Sequence, residues 1–384
     1  MKVLHIFTII GTSEAFFDGQ FQYLSHNGHE ICVVSSSLPD VDFVERNLID
    51  YVQIPIKRRV SPFADLKSIS LLIKLIKSEH FDLVVGHTPK GAMVAMIAAK
   101  LAGVKTRIYY RHGLIYTTAS GLKRFILKSV ERLTAACATA IVNVSPSLSK
   151  LAIKDKLNSD AKQTVIGMGT CGGIDTVDTF NPAKVSHNEV SALRHTLGIP
   201  DSAFVVGFCG RLCRDKGIIE LIEGFKLFRE AHPDIDVRLL LVGPYDARDI
   251  LPQNIKDEIK SSPLIISPGS VSHHYLPNYY SLMDVFVFPS YREGFGMTVI
   301  EASAMCLPIL VSRSHGCVDS IHEDVTGRYI DLTPQSIASS LTEMLNPQLR
   351  QRLGEAGRNF VTKNFERTAM WPTILDFYKE LFPR

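Results

Sequence analysis

Residues 288–302 read Phe-Pro-Ser-Tyr-Arg-Glu-Gly-Phe-Gly-Met-Thr-Val-Ile-Glu-Ala. The apolar run that ends in this stretch predicts a buried strand over Asp284–Pro289. The spacing of apolar residues over Met297–Met305 predicts a helix. A strand, a glycine-containing loop and a helix in this order are typical of parallel α/β sheets, which bind ligands beyond the carboxyl ends of their strands. The stretch therefore predicts an α/β fold and the position of a site within it.

The same alternation of strands and helices extends through the rest of the chain. Further strands are predicted at residues 2–10, 29–35, 51–56, 82–86, 106–111, 140–144, 204–208, 237–242, 264–267 and 308–312. Because these strands are apolar on both faces, we expect parallel sheets covered by helices on both sides. The sequence thus predicts two Rossmann-like domains that face each other across a ligand-binding cleft. The expected divisions are an N-terminal domain (1–167), a glycine-rich linker (168–186), a C-terminal domain (187–366) and a helix (367–384) that returns to the N-terminal domain.

Composition excludes several classes of protein. Of the 384 residues, 46% are hydrophobic and 21% are charged, so the chain can build two cores and is not disordered. A net charge of +3 gives no reason to expect a nucleic-acid partner. No apolar run reaches the roughly 20 residues that cross a bilayer, and the N-terminus lacks a secretory pattern. Seven scattered cysteines indicate reduced thiols, so we expect a cytoplasmic protein without a disulfide framework.

The decisive stretch places two carboxylates beside a group of backbone amides. We expect Glu293 in the loop and Glu301 one turn into the helix. The amides at the start of that helix favour a phosphate, and they belong to Gly294, Phe295, Gly296 and Met297. Since a carboxylate repels phosphate, Glu293 and Glu301 are expected to accept hydrogen bonds from hydroxyl groups, which is a sugar-nucleotide pattern. The alternative is that Glu301 is only a charge on the helix surface.

A second stretch follows the strand at 204–208. It reads Gly207-Phe-Cys-Gly-Arg-Leu-Cys-Arg-Asp-Lys-Gly-Ile and leads into a predicted helix from Gly217. Arg211 and Lys216 lie five positions apart in this loop and can converge on one diphosphate. A solvated basic loop is the alternative, and it is less favoured because both stretches occupy strand ends in the same predicted domain.

Together the two stretches resemble glycosyltransferase family 4, whose members are retaining enzymes of the GT-B fold. The family carries G-R-x(4)-K-G followed by E-G-F-G-x(4)-E, and both motifs are intact here, at residues 210–217 and 293–301. By this resemblance, Arg211 and Lys216 hold the donor diphosphate, and Glu301 binds the ribose hydroxyls. Glu293 and the neighbouring amides contact the transferred sugar, and Val271 lines the base pocket. Catalysis by this resemblance needs no metal, and the departing phosphate takes the acceptor proton.

The N-terminal half contributes two further candidates. Gly11 follows the first predicted strand, where family members have a glycine-rich loop near donor and acceptor, although this sequence has one glycine where many have two. His112 ends the strand at 106–111 and matches a His-Gly pair that the family places over the donor sugar. A structural histidine at a strand end is the alternative. The predicted catalytic group is thus His112 with Glu293, Arg211 and Lys216.

Residues 111–136 resemble the subgroup that makes capsules, O-antigens and lipid-linked oligosaccharides. The predicted helix at 121–136 sets Arg124, Lys128 and Arg132 on one side and apolar residues on the other, and residues 57–59 form a second basic cluster. One interpretation is a face that docks on anionic lipid at the inner side of the cell membrane to reach a polyprenyl-linked acceptor. The other is a helix packed on the core with a solvated basic side.

Two signals for a metal are weak. Asp234-Ile-Asp236 has the spacing that metal-dependent transferases use, but it precedes a strand and so lies at the wrong end for a site. His273-His274 has no third ligand at a useful spacing, and we expect neither a metal nor another cofactor.

The expected function is transfer of a hexose or N-acetylhexosamine from a nucleotide diphosphate, UDP being favoured, to a glycan or lipid-linked saccharide. Two alternatives stay open at this point. A non-hydrolysing UDP-sugar epimerase shares the two-domain architecture, and a non-enzymatic two-lobed protein could close on a small ligand.

Overall fold

The computed structural model describes residues 1–59 and 61–382 and divides the chain into two compact α/β units. The first unit contains residues 1–173 and the C-terminal residues from Arg367 onward, and the second contains Ile174–Glu366. The predicted α/β two-domain fold is therefore confirmed. The chain passes from the first unit to the second between Gly173 and Ile174, within the predicted linker at 168–186.

The first unit is built on a sheet of seven parallel strands in the order β3-β2-β1-β4-β5-β6-β7. The strands are β1 (Lys2–Ile6), β2 (Glu30–Ser35), β3 (Ile49–Gln53), β4 (Leu83–His87), β5 (Thr106–Arg111), β6 (Ala140–Asn143) and β7 (Gln163–Thr164). The helices are α1 (Gly11–Phe17), α2 (Gln20–His26), α3 (Val41–Asn47), α4 (Pro62–Glu79), α5 (Pro89–Ala102), α6 (Gly121–Cys137) and α7 (Pro146–Lys154).

The beginning of the chain differs from the prediction. The first strand ends at Ile6 instead of continuing to residue 10. Phe7 and Ile10 are buried in the turn that follows, so their apolar side chains do not indicate a longer strand. The helix predicted at 16–26 is two short helices, which are separated at Gly19 with φ +77°. Only glycine adopts this backbone conformation without strain, so the helix is interrupted there.

The second unit is a six-stranded parallel sheet in the order β10-β9-β8-β11-β12-β13. Its strands are β8 (Phe204–Cys209), β9 (Val237–Val242), β10 (Ile265–Gly269), β11 (Val285–Phe288), β12 (Ile309–Ser312) and β13 (Arg328–Ile330). Its helices are α8 (His187–Thr196), α9 (Ile218–Ala231), α10 (Gln253–Ser261), α11 (Leu276–Tyr280), α12 (Met297–Ala304), α13 (Pro334–Glu343) and α14 (Pro347–Phe365).

The last helix, α15 (Arg367–Glu380), belongs to the first unit. Trp371 on this helix donates its indole N–H to the carbonyl of Gly172 at 3.1 Å, and its ring lies against Gly19. Trp371 therefore packs against the break between α1 and α2. The chain thus returns to the first unit, as the sequence analysis expected.

In each sheet the chain first adds strands toward one edge and then toward the other. The strand order reverses between β1 and β4 in the first unit and between β8 and β11 in the second. At such a point the connections run to opposite sides of the sheet and leave a crevice at the strand carboxyl ends. The two sequence motifs follow β8 and β11, and His112 follows β5. The topology therefore determines which of the candidate residues come together.

Candidate active site

The two motifs of the second unit meet because β8 and β11 are hydrogen-bonded neighbours. Their carboxyl-end loops are joined along their length: the amide of Tyr291 and the hydroxyl of Ser290 both donate to the carbonyl of Asp215, at 2.9 and 3.2 Å. Arg292 forms an ion pair with the Asp215 carboxylate. The loop that carries Lys216 is thus fixed against the loop that carries Glu293.

Each predicted diphosphate-binding cation is paired with a carboxylate. Lys216 pairs with Glu293, and both side chains are largely buried. Arg211 pairs with Asp246, whose buried carboxylate also accepts from Arg248 at 3.2 Å. The structure therefore brings Lys216 and Glu293 together, while Arg211 is bound to a different acid. A diphosphate that reached both cations would replace these carboxylates as their partner.

Sequence reasoning missed Asp246. It lies four residues beyond the end of β9, the strand next to β8, so its position at a carboxyl end was the available signal. Arg248 lies two residues further and shares this carboxylate through both its backbone amide, at 2.8 Å, and its guanidinium. Asp246 therefore orients two arginines at the edge of the predicted diphosphate site.

The amide group predicted for an anion lies at the start of α12. Gly296 precedes the helix with φ +85°, and Gly294 with Glu293 lies against Gly316, where a Cβ atom would come within 2.7 Å of the Gly294 carbonyl. This close approach holds the loop in place, so that the backbone amides of residues 294–297 lie at the N-terminus of α12. The side chain of Phe295 is buried against the ring of Phe365 at 5.1 Å, so this residue contributes its backbone.

Glu301 is not a surface charge. It is 5% exposed, accepts a hydrogen bond from the hydroxyl of Tyr280 at 2.9 Å, and lies 3.3 Å from the imidazole of His273. A buried carboxylate oriented by two partners is suited to accept hydrogen bonds from paired hydroxyls. Val271 lies two residues beyond β10 and two before His273, half-buried in the same loop. The predicted base residue Val271 therefore shares its loop with His273, which contacts the predicted ribose residue Glu301 on α12.

The position of Lys216 depends on the glycine that follows it. Gly217 has φ +68°, and a Cβ atom there would lie 2.0 Å from the carbonyl oxygen of Pro289. We expect Gly217→Ala to lower the free energy of unfolding of the second unit through backbone strain of about 1–2 kcal/mol and overpacking of about 1–3 kcal/mol. Gly198→Ala is the control, because Gly198 has φ +64° with open space around it. Equal melting temperatures of the two variants would contradict the packing argument.

In the first unit, two buried histidines and the half-buried His112, the predicted catalytic residue, form a chain. His5 Nδ1 lies 2.9 Å from His87 Nε2, His87 Nδ1 lies 3.0 Å from His112 Nε2, and His112 Nδ1 lies 3.1 Å from Cys171 Sγ. Because β1 and β4 are neighbours and β5 follows, the sheet order places these rings in line. Sequence reasoning found His112 but missed His5 and His87, which lie within apolar strands.

These rings are neutral. Burial lowers the pKa of His5 to about 3 and of His112 to about 4, and burial with two neighbouring imidazoles lowers the pKa of His87 well below 6.5. Burial also raises the pKa of the Cys171 thiol to about 12. Each neutral imidazole donates through one nitrogen and accepts through the other, so the tautomer of His112 is coupled to those of His87 and His5.

This histidine chain predicts a loss of stability in mild acid. The unfolded protein takes up protons as pH falls through about 6.5, whereas the folded rings resist protonation until pH approaches 4. The stabilisation is therefore complete above pH 6.5 and is lost progressively below it. Urea denaturation at pH 7.5, 6.0 and 5.0 measures the effect, and His5→Leu should flatten the dependence. An identical slope for this variant would argue against the histidines as its source.

Gly11, predicted to lie near donor and acceptor, begins a helix. It is the first residue of α1, it is exposed, and its φ is not in the left-handed region. A Cβ atom there would meet nothing closer than 4.0 Å. The position therefore has no structural requirement for glycine. Gly91 on α5 shows the opposite, because a Cβ there would lie 3.0 Å from the amide nitrogen of Thr8.

Helix α6 fits neither interpretation completely. On its basic side, Lys128 pairs with Asp155 at 2.9 Å and Arg132 donates to the carbonyl of Lys156 at 3.1 Å, although Arg132 is itself exposed. On its apolar side, Leu122 is 74% and Phe125 65% exposed, whereas Leu127 and Val130 are half-buried. Within residues 1–59 and 61–382, no helix combines the length and the hydrophobicity that crossing a bilayer requires.

The residues considered for a metal serve other purposes. The Asp236 carboxylate pairs with Arg238 at the amino end of β9, and His273 contacts Glu301 and the ring of Phe180. Across the described part of the chain, no cluster of three or more His, Cys, Asp or Glu side chains is arranged to hold a metal ion.

Comparison with known proteins identifies the family. Residues 190–360 match the model "Glycosyl transferases group 1", and residues 11–169 match "Glycosyl transferase 4-like domain". The "Capsular polysaccharide biosynthesis glycosyltransferase CapM" of Staphylococcus aureus is 31% identical over 98% of this chain and 96% of its own length. The chain belongs to glycosyltransferase family 4. Its relatives include members of the group that makes capsules and lipid-linked saccharides, which residues 111–136 also resemble.

Two further relatives complete the comparison of this family 4 glycosyltransferase. The "UDP-Gal:alpha-D-GlcNAc-diphosphoundecaprenol alpha-1,3-galactosyltransferase" of Escherichia coli is 25% identical over 94% of this chain and 92% of its own. Among solved structures, Alr3699/HepE of Anabaena in complex with UDP-glucose aligns with a TM-score of 0.80 at 18% identity, over 99% of this chain and 100% of that one. The structural likeness shows the shared fold.

Proposed function

We propose that this glycosyltransferase transfers a hexose or N-acetylhexosamine from a UDP-linked donor to a polyprenyl-diphosphate-linked saccharide, with retention of the anomeric configuration and without a metal ion. The observation that supports the proposal is the convergence of Lys216, Glu293 and the start of α12 at the change of strand order in the second unit. Family membership favours this function over the epimerase and the two-lobed binding protein.

The donor end of the site is assigned by charge. Arg211, Lys216 and the amides of residues 294–297 stabilise the negative charge that grows on the departing diphosphate, and these groups can do so in place of a metal. Glu301, buried and oriented by Tyr280, takes the ribose hydroxyls. A solved relative in complex with UDP-glucose and a curated relative named for UDP-Gal both support uridine as the base.

The chemical step breaks the bond between the anomeric carbon and the diphosphate oxygen, and it forms a bond from that carbon to the acceptor hydroxyl. In the retaining reaction that we propose, the acceptor attacks from the face that the diphosphate leaves. The departing phosphate oxygen takes the hydroxyl proton, so no protein side chain is required as base. His112, held neutral at the end of its chain, is assigned to the transferred sugar, and Glu293 contacts the sugar hydroxyls.

Features of the first unit support the proposed acceptor and cellular position. The exposed apolar side of α6 and the exposed basic residues 57–59 form a surface suited to anionic lipid at the cytoplasmic side of the membrane. A relative named for a diphosphoundecaprenol substrate supports a lipid-linked acceptor. The predicted contact is peripheral and reversible.

The test is a transfer assay with purified protein, UDP-hexoses and UDP-N-acetylhexosamines, and a polyprenyl-diphosphate-linked saccharide, with EDTA present throughout. We expect release of UDP in step with glycosylated lipid, and NMR of the product should show the anomeric configuration of the donor. Interconversion of UDP-sugars without acceptor would identify an epimerase instead. Inversion, or activity only after addition of magnesium or manganese, would overturn the corresponding part of the proposal.

A further inference from the structure

A cavity of about 150 Å³ lies within the first unit. Its walls come from α4, the start of α5, the turn at residues 115–116 and one side of α6. The apolar lining is formed by Met93, Ile115, Tyr116, Ile126, Leu127 and Val130. An apolar cavity of about this size holds a molecule as large as benzene, so this one can take a five-carbon branched unit.

The charges in the cavity wall are compensated from within the protein. Lys90 pairs with Asp65, and both side chains are largely buried. Glu131 accepts from the hydroxyl of Tyr109 at 2.8 Å and lies 3.6 Å from the guanidinium of Arg111, while burial raises its pKa. Because Lys90, Asp65 and Glu131 each have an oppositely charged partner within the protein, hydrocarbon can lie beside them without stripping water from an unpaired ion.

The cavity opens to an exposed apolar surface on the same elements. Ile115 and Ile126 both line the cavity and remain exposed, and further exposed residues are Phe63 and Leu66 on α4 and Leu122 and Phe125 on α6. Exposed apolar side chains on the elements that line a cavity are typical of a binding region. Part of the basic side of α6 is bound to Asp155 and Lys156, whereas Leu122 and Phe125 on its apolar side remain exposed.

The cavity also lies close to the end of the sheet that carries the predicted chemistry. Lys90 is three residues beyond His87, the last residue of β4, and His87 contacts His112. Arg58 lies at the cavity wall beside exposed Lys57 and Arg59. Cations at this position match a diphosphate, with its saccharide directed to the strand ends and its hydrocarbon directed into the cavity.

We propose that this cavity binds the isoprenoid chain of the lipid-linked acceptor next to its diphosphate. The inference rests on the lipid-linked acceptor of the proposed function and adds where that lipid is recognised. Its occupant is the acceptor's own prenyl chain and not an acyl chain of the bilayer. In this proposal the cavity recognises the prenyl chain of the acceptor, whereas the exposed surface of the first unit contacts the membrane.

The test uses farnesyl diphosphate as a soluble probe, measured by calorimetry on the full chain. Val130→Phe fills the cavity from α6 and Met93→Trp fills it from α5, whereas Leu133→Phe adds a ring on an exposed part of α6 outside it. We expect the wild type to bind farnesyl diphosphate at least tenfold more tightly than inorganic diphosphate. The two filling variants should lose that difference, while Leu133→Phe keeps it and all variants retain UDP binding.

Three results would overturn the inference. The first is equal binding of farnesyl diphosphate and inorganic diphosphate by the wild type, and the second is unchanged farnesyl diphosphate binding in both filling variants. The third is a loss of binding to phosphatidylglycerol vesicles in the filling variants that equals their loss of farnesyl diphosphate binding, because this would identify an acyl chain as the occupant. The transfer assay separates this failure from failure of the proposed function. If the wild type glycosylates the lipid-linked acceptor and the filling variants do so with unchanged KM, only the cavity assignment fails. If it glycosylates water-soluble saccharides alone, the proposed acceptor fails.

Discussion

Lys216→Ala is expected to lower kcat about 10²–10³-fold, which is the usual cost of removing one group that stabilises charge in a transition state. Lys216 lies in the loop between β8 and α9, and its ammonium group contacts the Glu293 carboxylate where the diphosphate is predicted to leave. The charge on that diphosphate grows as the sugar departs, so the loss should fall more on kcat than on KM. Transfer rates at saturating donor measure it.

The control for this variant addresses the buried carboxylate that it leaves behind. Removing one partner of a buried ion pair typically costs about 3–5 kcal/mol, so Lys216→Ala can also destabilise the second unit. The double variant Lys216→Met with Glu293→Gln removes both charges, and a restored melting temperature without restored activity would assign the loss to chemistry. Lys260→Ala, on an exposed position of α10, should behave as wild type. A kcat within threefold of wild type for Lys216→Ala would refute its assigned role.

The sequence predicted the strands and helices of this chain better than it predicted their ends. Buried parallel strands are continuous apolar runs, so β8, β9 and β11 were evident from composition alone. The run at residues 2–10 gave too long a strand because burial in a turn produces the same apolar signal. The break at Gly19 follows from its left-handed backbone conformation, and the Trp371 ring that packs against it comes from more than 350 positions away in the sequence, which no local pattern reveals.

The donor motifs were predictable because their residues are close in sequence and their chemistry is specific. Local spacing placed Glu301 on α12, but only the fold shows that Tyr280 and His273 surround it. The pairings of Arg211 with Asp246 and of His5 with His87 join different strands, so they depend on strand order. Amphipathic spacing likewise identified the two sides of α6 without showing which side the protein covers.

Glu301→Ala is expected to weaken UDP binding about 10- to 150-fold, because hydrogen bonds to a charged group contribute about 1.5–3 kcal/mol. The carboxylate is 5% exposed and oriented by Tyr280, so two ribose hydroxyls would find it already in position. Glu301→Gln keeps the shape and one acceptor oxygen, and it should lose less affinity than alanine. Asp236→Ala is the matched control, because that carboxylate pairs with Arg238 at the opposite end of the sheet. Calorimetry with UDP in EDTA decides the matter: similar losses for Glu301→Ala and Asp236→Ala would revive the metal-dependent interpretation, whereas a loss confined to Glu301 places the ribose at α12.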